Sequence, residues 1–390
     1  MERETALLQS RPAAQQPPWE DLEKVERTRE ELSSKPALVR AEDVRTLRML
    51  LGRVVTGELQ VVQSGDCAED PAECTPGYVA RKSAVLDVLA GVMKMNTHRP
   101  VIRVGRIAGQ FGKPRSNPTE TFGDTELPVY RGHMVNSPEP DLALRRPDPA
   151  RLLAGYRAAS DAMHHLGWWD PGRWSRVEPP VWTSHEALLL DYELPMLRRD
   201  EGGRLLLTST HWPWVGERTR QADGAHVALL GAIGNPVACK VGPAMERDEL
   251  LDLCARLDPG REPGRLTFIA RMGADTVAER LPPLVAAVRE AGHPVIWLTD
   301  PMHGNTVTAP NGLKTRYVET VVREVRQFQN AVASEGGVVG GLHLETTPDD
   351  VTECVLNEAR AEHAGDKYTS FCDPRLNPRQ AVSVVSAWRG

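Results

Sequence analysis

Several kinds of protein are excluded by what this sequence lacks. No apolar stretch approaches the roughly 20 residues that span a bilayer, so no membrane-embedded chain is expected. The opening residues, MERETALLQSRPAAQQPPWEDLEK, contain no apolar core of a signal peptide, and cytoplasmic residence is the expectation. Six irregularly spaced cysteines include no CxxC pair, which argues against a disulfide scaffold or zinc ribbon and for reduced thiols. No GxGxxG or P-loop signature is present. A net charge of only −6 gives no general attraction to nucleic acid or anionic membranes, so basic residues have to be judged where they stand.

What remains is a chain of 390 residues, 41% hydrophobic and 26% charged, the profile of a globular protein with a sizeable core. Residues 1–55 read as an N-terminal arm with helical spacing at 20–32 and 41–54. Residues 56–390 read as a catalytic barrel. Short apolar runs at 59–63, 101–104, 181–184, 205–209, 237–241, 266–270, 295–299 and 338–344 have the length of buried strands. Helical patterns at 79–95, 152–166, 281–290 and 317–334 fall between most of them. Eight such alternations favour an α/β fold of the (β/α)8 TIM-barrel class, with an N-terminal helical extension, over an open doubly wound sheet.

Chemically distinctive residues follow the strands rather than precede them, and in a barrel those ends form one face. Cys67, His303 and Glu345 stand at or just past such positions, and Asp373 lies in a late loop, fixed before Pro374. A thiol, an imidazole and two carboxylates suit a divalent first-row metal, and sulfur argues against magnesium or calcium. Strand alternation puts His343 on the same face as Glu345, so either is a candidate ligand. Singly each residue has a plain structural reading; jointly, on one predicted face, they point to a metal.

Cations lie at the same kind of position. Arg106 leaves the second run, and Arg271 directly follows the sixth. Lys240 sits inside the run Val237-Ala238-Cys239-Lys240-Val241, where an ammonium is costly unless it meets an anion. Lys113, Arg115 and Ser116 share a tight proline-containing loop that suits a phosphate, although a solvated basic loop explains them equally well. The loop at 211–220 packs two tryptophans, Glu217, Arg218 and Arg220 together; it reads as an apolar plug with surface ion pairs or as a water-excluding wall with an anion-binding arginine.

These motifs resemble the type II 3-deoxy-D-arabino-heptulosonate 7-phosphate (DAHP) synthases. The likeness is carried by Gly65-Asp66-Cys67-Ala68-Glu69, Arg106-Ile107-Ala108-Gly109-Gln110, Lys113-Pro114-Arg115-Ser116 and Trp182-Thr183-Ser184-His185-Glu186. It continues through the 211–220 loop, Lys240-Val241-Gly242-Pro243, Arg271-Met272-Gly273-Ala274, Asp300-Pro301-Met302-His303-Gly304-Asn305, Gly312-Leu313-Lys314-Thr315-Arg316 and Cys372-Asp373-Pro374-Arg375-Leu376-Asn377. The resemblance implies a barrel enzyme that condenses phosphoenolpyruvate, erythrose 4-phosphate and water to DAHP and phosphate, the first step of the shikimate pathway. It implies Cys67, His303, Glu345 and Asp373 as ligands of a divalent ion, Mn2+ or Co2+ ahead of Zn2+ or Cd2+. Arg106, Glu217, Arg218, Lys240 and Arg271 correspond to its phosphoenolpyruvate site, and Lys113, Arg115 and Ser116 to its erythrose 4-phosphate site. No residue is assigned as catalytic acid or base.

The expected partners are small phosphorylated substrates and further copies of the chain, as a dimer or tetramer, with neither nucleic acid nor membrane. Two features refine the resemblance. The segment between Asn136 and Trp182 is short for the family and leaves little room for added amino-acid-binding helices, which is similar to the compact forms of phenazine and other specialised pathways. His133 stands where the family usually carries aspartate, and it motivates an alternative reading with an amino or otherwise modified tetrose phosphate. A non-catalytic regulatory barrel is the remaining alternative, opposed by the intact ligand and cation positions.

Overall fold

Valine-, leucine- and isoleucine-rich runs too short for helices become the strands of the structure, a computed structural model that describes residues 6–8, 10–175 and 179–390. Eight parallel strands follow one another along the chain: β1 Gln60–Gly65, β2 Val101–Arg106, β3 Trp182–Thr183, β4 Trp214–Val215, β5 Val237–Val241, β6 Leu266–Ala270, β7 Ile296–Thr299 and β8 Val338–Glu345. The principal helices are α1 Leu22–Ser34, α2 Ala41–Val55, α3 Pro76–Thr97, α4 Ala150–Leu166, α5 Ala225–Ala232, α6 Arg247–Leu257, α7 Val277–Glu290, α8 Val318–Ser334 and α9 Pro378–Val385. This is the α/β, (β/α)8 class that the alternation predicts. Among the described residues no helix is long and apolar enough to cross a membrane.

The chain divides into two compact units, one of Met1–Val44, Ala68–Val79 and Ile107–Asn235, the other of Arg45–Cys67, Ala80–Arg106 and Pro236–Gly390. In the second unit six strands run in the order β2-β1-β8-β7-β6-β5. Every residue of β1, β5, β6 and β7 is buried, as expected of parallel strands covered on both faces. The strand ends are level: Gly65 lies opposite both Glu345 and Arg106, and Ala270 opposite both Val241 and Thr299. One seam depends on a missing side chain. Gly341, at φ +155, approaches β1 so closely that a Cβ there would lie 1.9 Å from the Val61 carbonyl oxygen.

In the first unit the chain at and just past β3 meets the chain at β4: Glu186 and Trp214 form an isolated parallel bridge, with Trp212 N–H donating to Thr183 O at 3.2 Å and Trp214 N–H to His185 O at 3.1 Å. Here the structure differs from the strand pattern. The run at 205–209 does not supply the fourth parallel strand; Leu205–Leu207 pairs antiparallel with Leu197–Arg199. The Asp200-Glu201-Gly202-Gly203 turn explains why, because Asp200 Oδ1 accepts the Arg204 N–H at 2.9 Å and closes a hairpin. Trp214–Val215, hidden in the tryptophan-rich loop, is the parallel strand instead. The helices expected at 20–32, 41–54 and 152–166 form within two residues of those limits.

Candidate metal and anion site

Because β8, β1 and β2 end level, Glu345 finishes its strand beside Gly65, and Cys67 follows two residues later. The Cys67 Sγ and one carboxylate oxygen each of Glu345 and Asp373 lie within 4.8 Å of one another. Cys67 Sγ is 3.6 Å from Asp373 Oδ2, and His303 Nε2 is 3.3 Å from Glu345 Oε1. The structure therefore gathers three of the four expected ligands, residues up to 306 positions apart, and sets the fourth, His303, beside Glu345. A thiol, an imidazole nitrogen and two carboxylates converging in a largely buried place fit a borderline divalent cation. Glu345 is fully buried, with Arg106 Nη2 at 3.3 Å from one oxygen and Arg316 Nη1 at 2.7 Å from the other.

Asp300, to which the sequence reading assigned no role, organises the next layer. His303 Nδ1–H donates to Asp300 Oδ2 at 2.7 Å, which leaves the Nε2 lone pair facing Glu345. A carboxylate on the far nitrogen of a ligating histidine fixes its tautomer and orientation. Asp300 also accepts the backbone N–H groups of Met302 and His303 at 3.1 and 3.2 Å and the ammonium of Lys240. Burial opposes its ionisation, but His303 and Lys240 hold the carboxyl well below its ordinary range. His343 is occupied otherwise: Nδ1–H donates to Gln63 Oε1 at 2.8 Å and Nε2 accepts from Arg106 Nη1 at 2.9 Å. With both nitrogens engaged it holds Arg106 in place, and of the two candidates it is Glu345 that stands beside His303.

A second charged network carries the loops of Cys67 and Asp373. Arg375 donates from Nη1 to Asp66 Oδ1 at 2.7 Å and from Nη2 to Glu353 Oε1 at 2.9 Å. Lys82 completes the Asp66 side at 2.6 Å. Glu353 accepts the N–H groups of Thr369, Ser370 and Arg375 at 3.0, 2.8 and 2.7 Å, so one buried carboxylate shapes the turn that presents Asp373. Asp66 and Arg375 lie inside two of the motifs quoted above, whereas Lys82 and Glu353 carry none. For the latter two the only signal was a charge at a position that proved too buried to stand unpaired.

The cations divide by environment. Lys240 is buried at its strand end, and burial pushes its ammonium down to about 8 against the pull of Asp300. Arg106 is 3% exposed and shared between His343 and Glu345. Half-buried Arg271 has a backbone N–H bonded to Val241 O at 2.9 Å, and its guanidinium meets no partner among the described residues. Glu324 of α8 braces the two loops beside it, accepting the Gly273 N–H at 3.0 Å and Asn305 Nδ2–H at 2.5 Å.

The remaining expected residues lie in the first unit. Arg218 is exposed and donates to Ser116 Oγ at 2.7 Å, whereas Glu217 accepts from buried Arg220 at 2.8 Å. Arg115 pairs with Glu120 at 3.1 Å. Lys113 is tied through its backbone N–H to Arg131 O at 2.8 Å. His133 Nε2 stands 3.9 Å from Asp70, and burial lowers its pKa. Glu69 accepts three successive N–H groups, of Ala108, Gly109 and Gln110, at 3.1, 2.9 and 2.8 Å.

A (β/α)8-class fold whose level strand ends gather a thiol, an imidazole, carboxylates and buried cations defines a barrel enzyme for small anionic substrates. Comparison with known proteins makes this specific: the model of the Class-II DAHP synthetase family matches residues 3–170 and 171–387, and the chain belongs to that family. It is 59% identical over 378 residues, 97% of this chain and 94% of the relative, to a probable phospho-2-dehydro-3-deoxyheptonate aldolase of Pseudomonas fluorescens. It is 39% identical over 424 aligned residues, 96% of this chain and 94% of the relative, to the phospho-2-dehydro-3-deoxyheptonate aldolase of Streptomyces coelicolor. A Mycolicibacterium smegmatis relative described by the same name is 36% identical over 431 aligned residues, covering 96% of this chain and 92% of its own. The chain is a DAHP synthase, acting at the first step of the shikimate pathway. Neither the modified-sugar reading nor the non-catalytic one gains support from these relatives.

Proposed function

We propose that Cys67, His303, Glu345 and Asp373 hold a divalent ion that DAHP synthesis requires, and that Arg106, Lys240 and Arg271 bind phosphoenolpyruvate beside it. The observation that carries this is the convergence of three ligand atoms within 4.8 Å, with His303 Nε2 at 3.3 Å from Glu345. A bound divalent ion would supply Lewis-acid polarisation of the sugar aldehyde. The protein's own groups do the rest. Arg106, Lys240 and Arg271 neutralise the carboxylate and phosphate of phosphoenolpyruvate and orient carbon 3 towards the aldehyde carbon. The new carbon–carbon bond leaves positive charge at carbon 2, water adds there, and inorganic phosphate departs. In the first unit, Lys113, Arg115 and Ser116 take the phosphate of erythrose 4-phosphate, and Glu217 and Arg218 are assigned to phosphoenolpyruvate by the family resemblance alone.

Dialysis against a chelator should abolish phosphate release from the two substrates, and Mn2+ or Co2+ should restore it, because mixed sulfur, nitrogen and oxygen ligands suit such ions. Full activity after exhaustive chelation would refute the metal assignment. The same reading places the enzyme in the cytoplasm, where its six free thiols stay reduced.

The finer reading is a compact enzyme serving specialised aromatic metabolism. Its support is one of length: the alignments with the Streptomyces and Mycolicibacterium relatives run to 424 and 431 positions, more than the 390 residues of this chain, so those relatives contain segments absent here. Between Asn136 and Trp182 the described residues hold one long helix, α4, with short turns at Leu142–Arg145 and Arg173–Ser175.

A further inference from the structure

The N-terminal arm ahead of α1 contributes nothing to the chemistry above, yet its polar groups are directed at three loops of the first unit. Gln15 adopts φ +63, in the left-handed region that residues other than glycine seldom enter. Its Oε1 accepts the backbone N–H of Arg115 at 2.8 Å across 100 residues of sequence. Gln16 Nε2–H donates to Leu188 O at 2.8 Å, and its Oε1 accepts the Leu190 N–H at 2.9 Å. Pro12 O accepts the N–H of Ala225, the first residue of α5, at 2.9 Å. Trp19 Nε1–H donates to Asp191 Oδ2 at 2.8 Å. The arm thus laces the segments that follow β2, β3 and β4. Arg218 ties the first of these to the third through Ser116 at 2.7 Å. A strained backbone persists where its surroundings over-determine it, and such strain often marks a functional constraint.

We propose that Gln15 is a positioning residue for the sugar phosphate: by anchoring the backbone of Arg115 it holds Arg115 and Ser116 ready for that ligand. The proposal rests on reading Lys113, Arg115 and Ser116 as the erythrose 4-phosphate loop. Arg115 is already shared with Glu120 at 3.1 Å, so an incoming phosphate has to compete for the guanidinium. A loop whose backbone is fixed loses less freedom on binding and competes better. The Gln-Gln-Pro-Pro-Trp segment thereby gains a purpose: Gln15 anchors the loop, while Gln16 and Trp19 fasten the arm that carries Gln15.

The test is steady-state kinetics of the full chain with Mn2+ supplied, comparing Gln15→Leu, which keeps side-chain size and loses the acceptor, with Arg115→Ala. Gln15→Leu should raise KM for erythrose 4-phosphate about fivefold to tenfold, the effect of roughly one lost hydrogen bond. KM for phosphoenolpyruvate should change by less than about twofold, with the melting temperature unaltered. Calorimetric titration with erythrose 4-phosphate should show the same loss of affinity, and Gln15→Ala serves if the leucine variant does not fold. If Arg115→Ala leaves KM for erythrose 4-phosphate unchanged, the loop assignment itself fails. If Arg115→Ala raises that constant and Gln15→Leu does not, the positioning role is overturned. A matched rise in both Michaelis constants with a lower melting temperature would reduce the arm to a purely structural part and overturn it equally.

Discussion

Lys240 and Asp300 form a buried pair in which each charge depends on the other and on what binds beside them. On the proposed assignment of Lys240 to phosphoenolpyruvate, replacing it with methionine removes a charge-assisted contact worth roughly 1.5–3 kcal/mol. The catalytic efficiency for that substrate should fall more than tenfold, while KM for erythrose 4-phosphate moves little; equal effects on both would count against the assignment. Asp300→Asn tests the layer behind the ligands. The amide still accepts from His303 but no longer matches the charge of Lys240, and changes of this kind typically cost about 10–100-fold in metal affinity. Competition with a chromogenic chelator measures it, provided circular dichroism shows the variant folded. An unchanged affinity would mean that His303 needs no such support.

The six-strand sheet of the second unit is held at one seam by an atom that is absent. At Gly341 a methyl group would meet the Val61 carbonyl oxygen at 1.9 Å, and no flexible side chain is there to yield. Gly341→Ala should therefore part β1 from β8 and destabilise the fold by on the order of 3 kcal/mol, combining overpacking with an unfavourable backbone angle. Urea unfolding reads this directly. Because β1 leads to Cys67 and β8 ends in Glu345, the same variant should bind metal more weakly even where it folds. Elements were legible unevenly. Long amphipathic patterns such as α4 and α8 came out within a few residues, since helical periodicity is a local property repeated over many turns. Two-residue strands carry no periodicity at all, and β4 is one of them. The apolar run at 205–209 looked more like a strand and is one, but its hairpin turn assigns it to a different sheet.

For the protein as an enzyme, the test of the specialised-pathway reading is regulation. Phenylalanine, tyrosine and tryptophan, alone or together, should not slow phosphate release appreciably at millimolar concentration. Feedback needs a second pocket coupled to the first, typically by about 1–3 kcal/mol. The described residues between Asn136 and Trp182 offer one long helix, packed with α1, in place of an added helical layer. Saturable binding of an aromatic amino acid by titration calorimetry, accompanied by slower turnover, would overturn the reading and favour a feedback-controlled enzyme.

Much of the site could be read from residue types and their order alone. Cys67, His303, Lys240 and Arg271 stand out because thiols, imidazoles and charges at or near strand ends are chemically conspicuous wherever the chain later goes, and Asp373 because it is a carboxylate fixed before proline in a late loop. Alternation along β8 narrowed a fourth ligand to His343 or Glu345, and no local rule goes further, since a period of two puts both on one face. Tertiary structure sets them apart, because only the fold brings Gln63 and Arg106 to the two nitrogens of His343 and leaves Glu345 facing His303. The same holds for Asp300, Arg316, Glu353 and Arg375. Asp300, Arg316 and Arg375 lie in family-like motifs and Glu353 in none, but no local rule gives any of them a role, and each has a partner in a distant segment. Hydrogen bonds and ion pairs act over a few ångströms, and sequence distance says nothing about which groups come that close.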